Sequence, residues 1–376
     1  MDSVATKTDK VFNTLMNLKE DFVSFLILAI SLIIIAAIIV YFIYLKNLQT
    51  SECNYMDTLY GKIDGNIKSI DPSNVDFSGN LYDYYIKTAF NSCSGGSYKN
   101  DFVNICSLIN VLKQGVRCLD FEIYSIDNNP VVATSTVNSV YVKETFNYVN
   151  FSDVMSTIQS YAFSGGDCPN PNDPIIIHLR CMSNNPTMYS SMADIFKSYD
   201  SIMLGKQYSY ENNGFNLGMT PLVNLMNKVI LAIDRTNQTF LGNQDLLEYV
   251  NIVSNSFFMR GYQYSQVKDN HSIEDLKIYN ERNMTIVFPD VGANPTNPSG
   301  LLCREVGCQM VAMRYQFIDS FLEENNTFFD SAGYAFVLKP ENLRYKPVTV
   351  DAPTPQNPNY SYATRTQSTD YYSINY

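Results

Sequence analysis

One segment of the chain is apolar without interruption. From Phe22 to Leu45 it reads FVSFLILAISLIIIAAIIVYFIYL, with no charged residue, no Pro and no Gly. A bilayer core needs about 20 apolar residues in a helix, whereas the apolar region of a signal peptide has about 7–15. Tyr44 lies near the end of the run and Lys46 follows it. Aromatic residues and lysines are typical of the membrane–water interface. The pattern therefore predicts a retained single-pass transmembrane helix over 22–45.

Farther along the chain, short apolar runs alternate with helical patterns. The runs predict buried strands at Cys118–Ile123, Pro174–Leu179, Lys228–Ile233, Met284–Phe288 and Ala335–Leu338. The helical patterns lie at Val103–Gln114, Phe151–Phe163, Ser190–Tyr199 and Leu222–Met226. Strands that are apolar on both faces and alternate with helices favour an α/β fold with a parallel sheet, either doubly wound or closed into a barrel.

The same pattern divides the chain into segments. A polar N-terminal segment (1–21) precedes the transmembrane helix, and a polar juxtamembrane stalk (46–79) follows it. The region 80–345 is compact in character. The tail 346–376 is rich in Pro, Asn, Ser, Thr and Tyr, and we predict that it is disordered because it cannot bury much surface.

Composition and charge narrow the possible functions. The 376 residues carry a net charge of -11, which argues against a nucleic-acid partner. The chain has 2 histidines, His178 and His271, so a mechanism that needs a histidine pair must use these two. His178 lies in an apolar strand, which is typical of a core residue, and His271 lies in a polar, loop-like segment.

The side of the membrane is predicted from lysines and cysteines. Lys7, Lys10 and Lys19 precede the apolar run, which favours a cytosolic N-terminus with the compact region outside the cell or in a lumen. All 8 cysteines follow the run. Disulfides in an oxidising compartment and buried free thiols are both compatible with this count.

Two separated blocks carry motifs of a known family. The block 84–204 contains YYIKTAFNSCSGG, GVRCLDFEIY and DPIIIHL, and the block 288–345 contains GCQMVAMRYQ and GYAFVLKPENLR. They resemble the X and Y halves of phosphoinositide-specific phospholipase C, with a linker and central strands over 205–287 between them. The resemblance implies a distorted TIM-type (β/α)8 barrel with any active site at the C-terminal ends of its strands.

The resemblance also shows which catalytic positions have changed. The family's first histidine, which stabilises negative charge on the phosphate, corresponds to Phe90. The second, which exchanges a proton with the leaving alcohol, corresponds to Thr134. Neither side chain acts as an acid or base near neutral pH. Lysines that bind inositol phosphates in the family correspond to Ala232 and Asp234.

The family's metal site is altered as well. Eukaryotic members hold calcium with an Asn and three carboxylates. Asn91 matches the Asn, and Asp120 and Glu122 match two carboxylates that share one strand face. Arg180 stands where the third carboxylate should be, so we expect calcium binding to be lost and no cofactor, with residual binding at Asn91, Asp120 and Glu122 as the weaker alternative. We hypothesise that the Arg180 guanidinium takes the place of the ion.

These features predict a membrane-anchored phospholipase C-like protein that has lost catalysis and has a structural or interaction role. The alternative is an active phosphoric diester hydrolase that cleaves a phosphoinositide or related phospholipid, with Asp120 or Glu122 as base and Arg180 as phosphate clamp. The expected partners are the membrane, through Phe22–Leu45, and a phospholipid headgroup. Other membrane or capsid proteins are further candidates, because this Asn- and Tyr-rich composition would suit the particle or membrane of a large DNA virus.

Overall fold

The computed structural model describes residues 2–137, 139–209, 215–347, 351–357 and 360–376, and within 2–21 it describes the side chain of Met16 alone. Met1 of the predicted N-terminal segment, part of the predicted linker and parts of the predicted tail lie outside the described residues. The chain forms two units, Met1–Arg344 and Tyr345–Tyr376.

Helix α1 runs without a break from Asp2 to Tyr60. From Phe22 onward it is long and apolar enough to cross a membrane, with a mean hydropathy of 3.2 over its most apolar window, and that window is not buried by the rest of the chain. The helix does not end at Leu45, so the predicted polar stalk over 46–79 is wrong in its first part. Met56 and Tyr60 are buried one turn apart, because this end of the helix lies against the barrel.

The rest of the predicted stalk is also part of the folded unit. Ile67, Ile70 and Phe77 are buried, and the backbone N–H of Ile70 donates to Asp173 Oδ1 over 2.8 Å. These few buried apolar side chains pack this segment against the barrel. The prediction of a stalk rested on the polar residues between them.

The barrel unit contains an 11-stranded sheet. Its strands are β1 (Tyr84–Ala89), β2 (Cys118–Ile126), β3 (Asn129–Val132), β4 (Val149–Asn150), β5 (Ile175–Cys181), β6 (Val229–Asp234), β7 (Val250–Ser254), β8 (Met259–Gln263), β9 (Met284–Phe288), β10 (Met310–Met313) and β11 (Phe336–Leu338).

The strand order is β7-β6-β5-β2-β1-β10-β9-β8, and every pair along it is parallel. Within the described residues β7 and β8 form no ladder, so the barrel is nearly closed. Strand β3 pairs antiparallel with β2 and with β4, and β11 pairs antiparallel with β1. The predicted distorted TIM-type barrel behind one long apolar helix is confirmed.

Helices surround the sheet. They are α2 (Ile105–Lys113), α3 (Phe151–Thr157), α4 (Pro186–Ser198), α5 (Gln244–Leu247), α6 (Tyr264–Lys268), α7 (Ile273–Asn280), α8 (Gly300–Glu305) and α9 (Ser320–Ala332). A π-helical turn at Ile158–Ala162 extends α3, and the predicted helix at Leu222–Met226 is a 3-10 turn, Leu222–Leu225. Further 3-10 turns lie at Val75–Phe77, Leu81–Asp83, Lys206–Tyr208, Leu217–Met219, Thr239–Gly242 and Glu341–Leu343.

Alternate residues of each strand face two different cores. In β2, Leu119 and Phe121 lie in the core shared with the helices, whereas Cys118 lies in the core inside the barrel, beside Ile176 of β5. This is the period of two expected of a strand. Toward the C-terminal ends of the strands the inward positions change from apolar to polar, as Asp120 shows. The polar residues therefore gather at one end of the barrel, which we call the mouth.

The C-terminal unit contains one antiparallel pair, β12 (Thr366–Ser368) and β13 (Ser373–Asn375), with all its residues exposed. The prediction that the whole tail 346–376 is disordered is therefore wrong for this part. The two segments pair through their backbones although their side chains stay exposed, and the lack of burial was the basis of the prediction.

One disulfide joins α1 to the barrel. Cys53 of α1 is bonded to Cys106 of α2, and the other six cysteines are buried free thiols. The protein therefore contains both a disulfide and buried free thiols, the two alternatives that were compatible with the cysteine count. The bond closes a long loop, with a sequence separation of 53, so it connects the apolar helix covalently to the folded unit.

We predict that the double variant Cys53→Ser/Cys106→Ser unfolds at lower denaturant concentration than the wild type. Opening a loop of this length costs about 4 kcal/mol on the chain-entropy account, and about 2–4 kcal/mol is typical. The measurement is urea unfolding of the full chain in detergent, with and without reductant. Reductant should shift the wild-type curve and leave that of the double variant in place. Equal curves for both proteins without reductant would contradict the prediction.

Candidate functional site

The candidate site lies at the mouth, where polar side chains from neighbouring strands meet. Asp120 and Glu122 point inward from β2, and the register of the parallel pair places His178 beside Asp120 and Arg180 beside Glu122. Asn91 follows the end of β1 with a φ of 45°, a left-handed conformation that Asn tolerates better than most residues. The structure thus brings together the four residues of the predicted degenerate site.

The Arg180 guanidinium lies between the two carboxylates. Its Nε and Nη2 donate to Asp120 over 3.0 Å and 2.7 Å, and its Nη1 donates to Glu122 Oε1 over 2.7 Å. Nη2 also donates to Asn91 Oδ1 over 2.8 Å. This is the arrangement that we hypothesised from the sequence. The planar fork of Arg provides donors in several directions, which a single ammonium group would not.

The charges in this cluster support one another. Burial by itself would raise the pKa of Asp120, but the charge of Arg180 and hydrogen bonds from His178 and Arg180 lower it to about 2. Burial would lower the pKa of Arg180, but the charges of Asp120 and Glu122 raise it above its usual range. Asp120 is therefore ionised and Arg180 is charged throughout the physiological pH range.

Two residues that were not predicted from the sequence also donate hydrogen bonds to Glu122. The Tyr124 hydroxyl donates to Glu122 Oε2 over 2.9 Å, and the Ser135 backbone N–H donates to the same oxygen over 3.0 Å. Tyr124 lies two residues after Glu122 on β2, so the strand period could have indicated it. Ser135 comes from the loop after β3 and has no sequence signal.

His178 positions Asp120 through a hydrogen bond. Its Nδ1 lies 2.8 Å from Asp120 Oδ1, and its Nε2 lies 2.8 Å from the hydroxyl of Ser254, which was also missed. Because ionised Asp120 only accepts, Nδ1 carries a proton. The order Ser–His–Asp is that of a catalytic triad, but all three residues are completely buried and neither Ser254 nor His178 lines the cavity. The network is thus built to position Asp120.

The two positions of the family histidines hold side chains with structural contacts. The Phe90 ring stacks edge-on with Tyr98 at 5.6 Å, and the Arg180 guanidinium lies 4.6 Å from its centroid. Thr134 is buried, and its hydroxyl donates to the Tyr98 carbonyl over 3.2 Å. His271 is exposed and does not line the cavity. The described mouth therefore offers no histidine to a bound molecule.

A cavity of about 720 Å³ opens above this network. The charged residues that line it are Glu122, Arg180, Asp234 and Asp290, so three carboxylates face one guanidinium that is already paired. Its other lining groups include several amides and hydroxyls and the ring of Phe288. Ala232 is buried inside the barrel and does not line the cavity. The cavity is large enough for a small ligand, but its charge disfavours one that carries several phosphates.

The residues present do not fit calcium. The ion requires about six to eight oxygen ligands free to approach within about 2.3–2.6 Å. Here the side-chain oxygens of Asn91, Asp120 and Glu122 accept hydrogen bonds from Arg180, whose cation occupies the space between them. A divalent ion at that point would also be repelled by the guanidinium.

Comparison with known proteins supports one family. The family described as "Phosphatidylinositol-specific phospholipase C, X domain" matches residues 77–234, and "Phosphatidylinositol-specific phospholipase C, Y domain" matches residues 243–342. Among curated proteins, no sequence matches the chain significantly.

Solved structures share the fold. The crystal structures of L. pealei PLC21 and S. officinalis PLC21 superpose with TM-scores of 0.57 and 0.56, each at 18% identity and over 72% of this chain. The matched part is 38% of each of those chains, so the likeness concerns the barrel and not the whole proteins. A calcium-dependent phosphoinositol-specific phospholipase C from Pseudomonas sp. aligns with 73% of this chain and 100% of its own at 12% identity, with a TM-score of 0.43.

We predict that Arg180→Met destabilises the protein by about 3–5 kcal/mol, because it leaves two buried carboxylates without their cation. Arg180→Lys should lose less, since it keeps the charge but not the fork. The matched control is Lys206→Met, which removes the cation of an exposed ion pair with Glu248 and should change stability little. Urea unfolding measures all three, and equal losses for Arg180→Met and Lys206→Met would rule out a buried charge cluster.

We also predict that Arg180→Glu creates a calcium site that the wild type lacks. The variant removes the cation and adds an oxygen ligand to Asn91, Asp120 and Glu122, so calcium should raise its Tm and leave the wild-type Tm unchanged. At about 100 times Kd the added stability would be about 2.7 kcal/mol. Arg180→Gln, which removes the cation without adding a carboxylate, is the control. A calcium-dependent rise in the wild-type Tm would refute the displacement of the ion by Arg180.

Proposed function

The chain belongs to the phosphatidylinositol-specific phospholipase C family, and we propose that it is a membrane-anchored member without catalysis that has a structural or interaction role. The observation that carries this proposal is the position of Arg180, whose guanidinium joins Asp120 and Glu122 where the family resemblance places a calcium ion.

The loss of both family histidines supports the proposal, since no histidine lines the described part of the mouth. Phosphodiester cleavage by general acid–base catalysis needs a group that can exchange a proton with the reacting oxygen. Phe90 has no such group, and the Thr134 hydroxyl is buried against a carbonyl. Asp120 and Glu122 are held by donors from Arg180, so using either as a base would break a satisfied buried network.

The retained cavity supports binding of a ligand of low negative charge. Three carboxylates line it, whereas the family's phosphate-binding lysines correspond to Ala232 and Asp234. We therefore favour a phospholipid headgroup with a single phosphate, which polar amides and hydroxyls could hold, over a polyphosphorylated inositol.

The first part of α1 supports anchoring in a membrane. Large apolar side chains from Phe22 to Tyr44 are exposed to solvent in the isolated chain, and a bilayer would cover them. The Cys53–Cys106 disulfide and the lysines before the apolar run both favour a barrel on the oxidising side, outside the cell or in a lumen. A location in a virus particle and partners among membrane or capsid proteins stay predictions.

The test is an assay of headgroup release. The full chain in vesicles that contain labelled phosphatidylinositol or its bisphosphate should release no labelled headgroup above the Arg180→Ala background, with or without calcium. An active phospholipase C on the same vesicles is the positive control. Turnover that disappears in Asp120→Asn or Arg180→Ala would instead establish the alternative, an active phosphoric diester hydrolase with a rearranged site.

A further inference from the structure

The charged groups that line the mouth cavity are of two kinds. Arg180 and Glu122 are paired with each other, with 2.7 Å between Nη1 and Oε1. Asp234 ends β6 and Asp290 follows β9, and within the described part of the chain no lysine or arginine forms an ion pair with either carboxylate. The cavity therefore contains two carboxylates whose charge no protein cation balances.

Each of these carboxylates is fixed through one oxygen only. Asp234 Oδ1 accepts hydrogen bonds from the Thr236 backbone N–H over 2.6 Å and from the Asn255 amide over 3.0 Å. Asp290 Oδ1 accepts from the backbone N–H and the hydroxyl of Ser265, over 2.9 Å and 2.7 Å. Among the described residues no donor bonds the Oδ2 atom of Asp234 or Asp290. One oxygen of each carboxylate is thus left for a ligand.

A third acceptor in the cavity wall also lacks a donor. Gln263 ends β8 and lines the cavity, and its amide oxygen is buried without a hydrogen bond from any described residue. Leaving a buried acceptor unpaired costs about 1–3 kcal/mol. A carboxylate charge at Asp234, which is 9% exposed, adds a further cost. A ligand that supplies both donors and positive charge would remove these costs.

The three acceptors lie on one side of the mouth. Strand β8 pairs with β9 so that Gln263 lies opposite Phe288, two residues before Asp290. The gap between β7 and β8 is crossed by Asn255, whose side chain bonds Asp234 on one side and the backbone of β8 on the other. The ends of β6, β8 and β9 therefore direct their acceptors to one part of the cavity.

Oxygen acceptors favour a primary ammonium over a quaternary one. A primary ammonium has three N–H donors, whereas a quaternary ammonium has none and is held instead by aromatic faces. The rings of Phe90 and Phe288, which line this cavity, already face the Arg180 guanidinium, whose carbon lies 4.6 Å and 5.6 Å from their centroids. The acceptors are thus available to a cation and the two rings are not.

Arg180 has one donor left for a phosphate oxygen. A guanidinium has five N–H groups, and Asp120, Glu122 and Asn91 accept from four of those of Arg180. The remaining N–H is on Nη1, and Arg180 lines the cavity. A single donor suits a ligand with one phosphate.

The phosphate and ammonium positions are close together. The register of β5 and β6 pairs Leu179 with Ile233, so the next residues, Arg180 and Asp234, lie beside each other on strands about 4.8 Å apart. The two-carbon link of an ethanolamine phosphate spans such a distance.

We propose that the mouth cavity binds a phosphodiester that carries a primary ammonium, as an ethanolamine phosphate headgroup does. Asp234, Asp290 and Gln263 accept from the ammonium, and Arg180 donates to one phosphate oxygen. The inference rests on the headgroup binding in the proposed function, which it makes specific, and it does not depend on catalysis. A free glycerophosphodiester and a membrane lipid share this chemistry.

The test is calorimetric titration of the full chain in detergent. The soluble probes are glycerophosphoethanolamine, glycerophosphocholine and glycerophosphoinositol, which differ in the cation attached to one phosphodiester. A second arm titrates mixed micelles that contain lysophosphatidylethanolamine or lysophosphatidylcholine. The variants are Asp234→Asn and Asp290→Asn. Asp269→Asn is the matched control, because Asp269 is exposed and does not line the cavity.

We expect the ethanolamine probe to bind about 10-fold more tightly than the choline and inositol probes. Asp234→Asn and Asp290→Asn should each remove most of this preference, and Asp269→Asn should keep it. Urea unfolding of each variant separates lost binding from lost folding, and Asp290→Asn tests the site independently of the more buried Asp234. Binding of the free headgroup shows that a soluble ligand suffices, whereas binding of the lyso-lipid alone shows that the ligand is a lipid.

Two outcomes would overturn the inference. If glycerophosphocholine or glycerophosphoinositol binds as tightly as the ethanolamine probe, recognition of the ammonium is refuted, while headgroup binding by the cavity stands. If no probe binds in either arm, headgroup binding fails as well. Phosphorus NMR of the same mixtures detects cleavage, so catalysis, which would refute the proposed loss of activity, is measured separately from binding.

Discussion

The site depends on one electrostatic requirement: two carboxylates buried on the same face of a strand need a cation. Taking Asp120 and Glu122 out of water costs several kcal/mol each, so an uncompensated pair would destabilise the fold strongly. Arg180, supplied by the neighbouring strand, meets the requirement from within the chain. Neighbouring side chains are arranged around this ion pair. The ring of Phe90 lies against the guanidinium of Arg180. His178 orients Asp120, which accepts most of the hydrogen bonds that Arg180 donates.

The same substitution changes what the barrel can do. A metal ion can coordinate a substrate oxygen while its protein ligands stay in place, whereas the guanidinium of Arg180 is already directed at Asp120, Glu122 and Asn91. The cluster therefore stabilises the mouth and leaves a cavity above it. Helix α1 is the second element, since the Cys53–Cys106 disulfide joins it to the barrel and its earlier part is long and apolar enough to cross a membrane.

Much of the fold and the central cluster could be predicted from the sequence. Asp120 and Glu122 are two residues apart on a strand and therefore share a face. The family resemblance placed Arg180 at the position of a third carboxylate, and the hypothesis that it pairs with both rested on that resemblance. The docked end of α1 was missed because few apolar residues mark it, although Met56 and Tyr60 have helical spacing. Ser254 ends a five-residue strand, VNIVS, that is too short and too mixed to be recognised. Its role depends on a contact with His178 that is distant in sequence.

The most direct test of this account is an experimental structure determined with calcium present at high concentration. The account predicts that the Arg180 guanidinium lies between Asp120 and Glu122, with its hydrogen bonds to Asn91 and Asp120 intact and no ion within coordination distance of their oxygens. A calcium ion bound to Asn91, Asp120 and Glu122, with the Arg180 side chain turned away into the cavity, would contradict it.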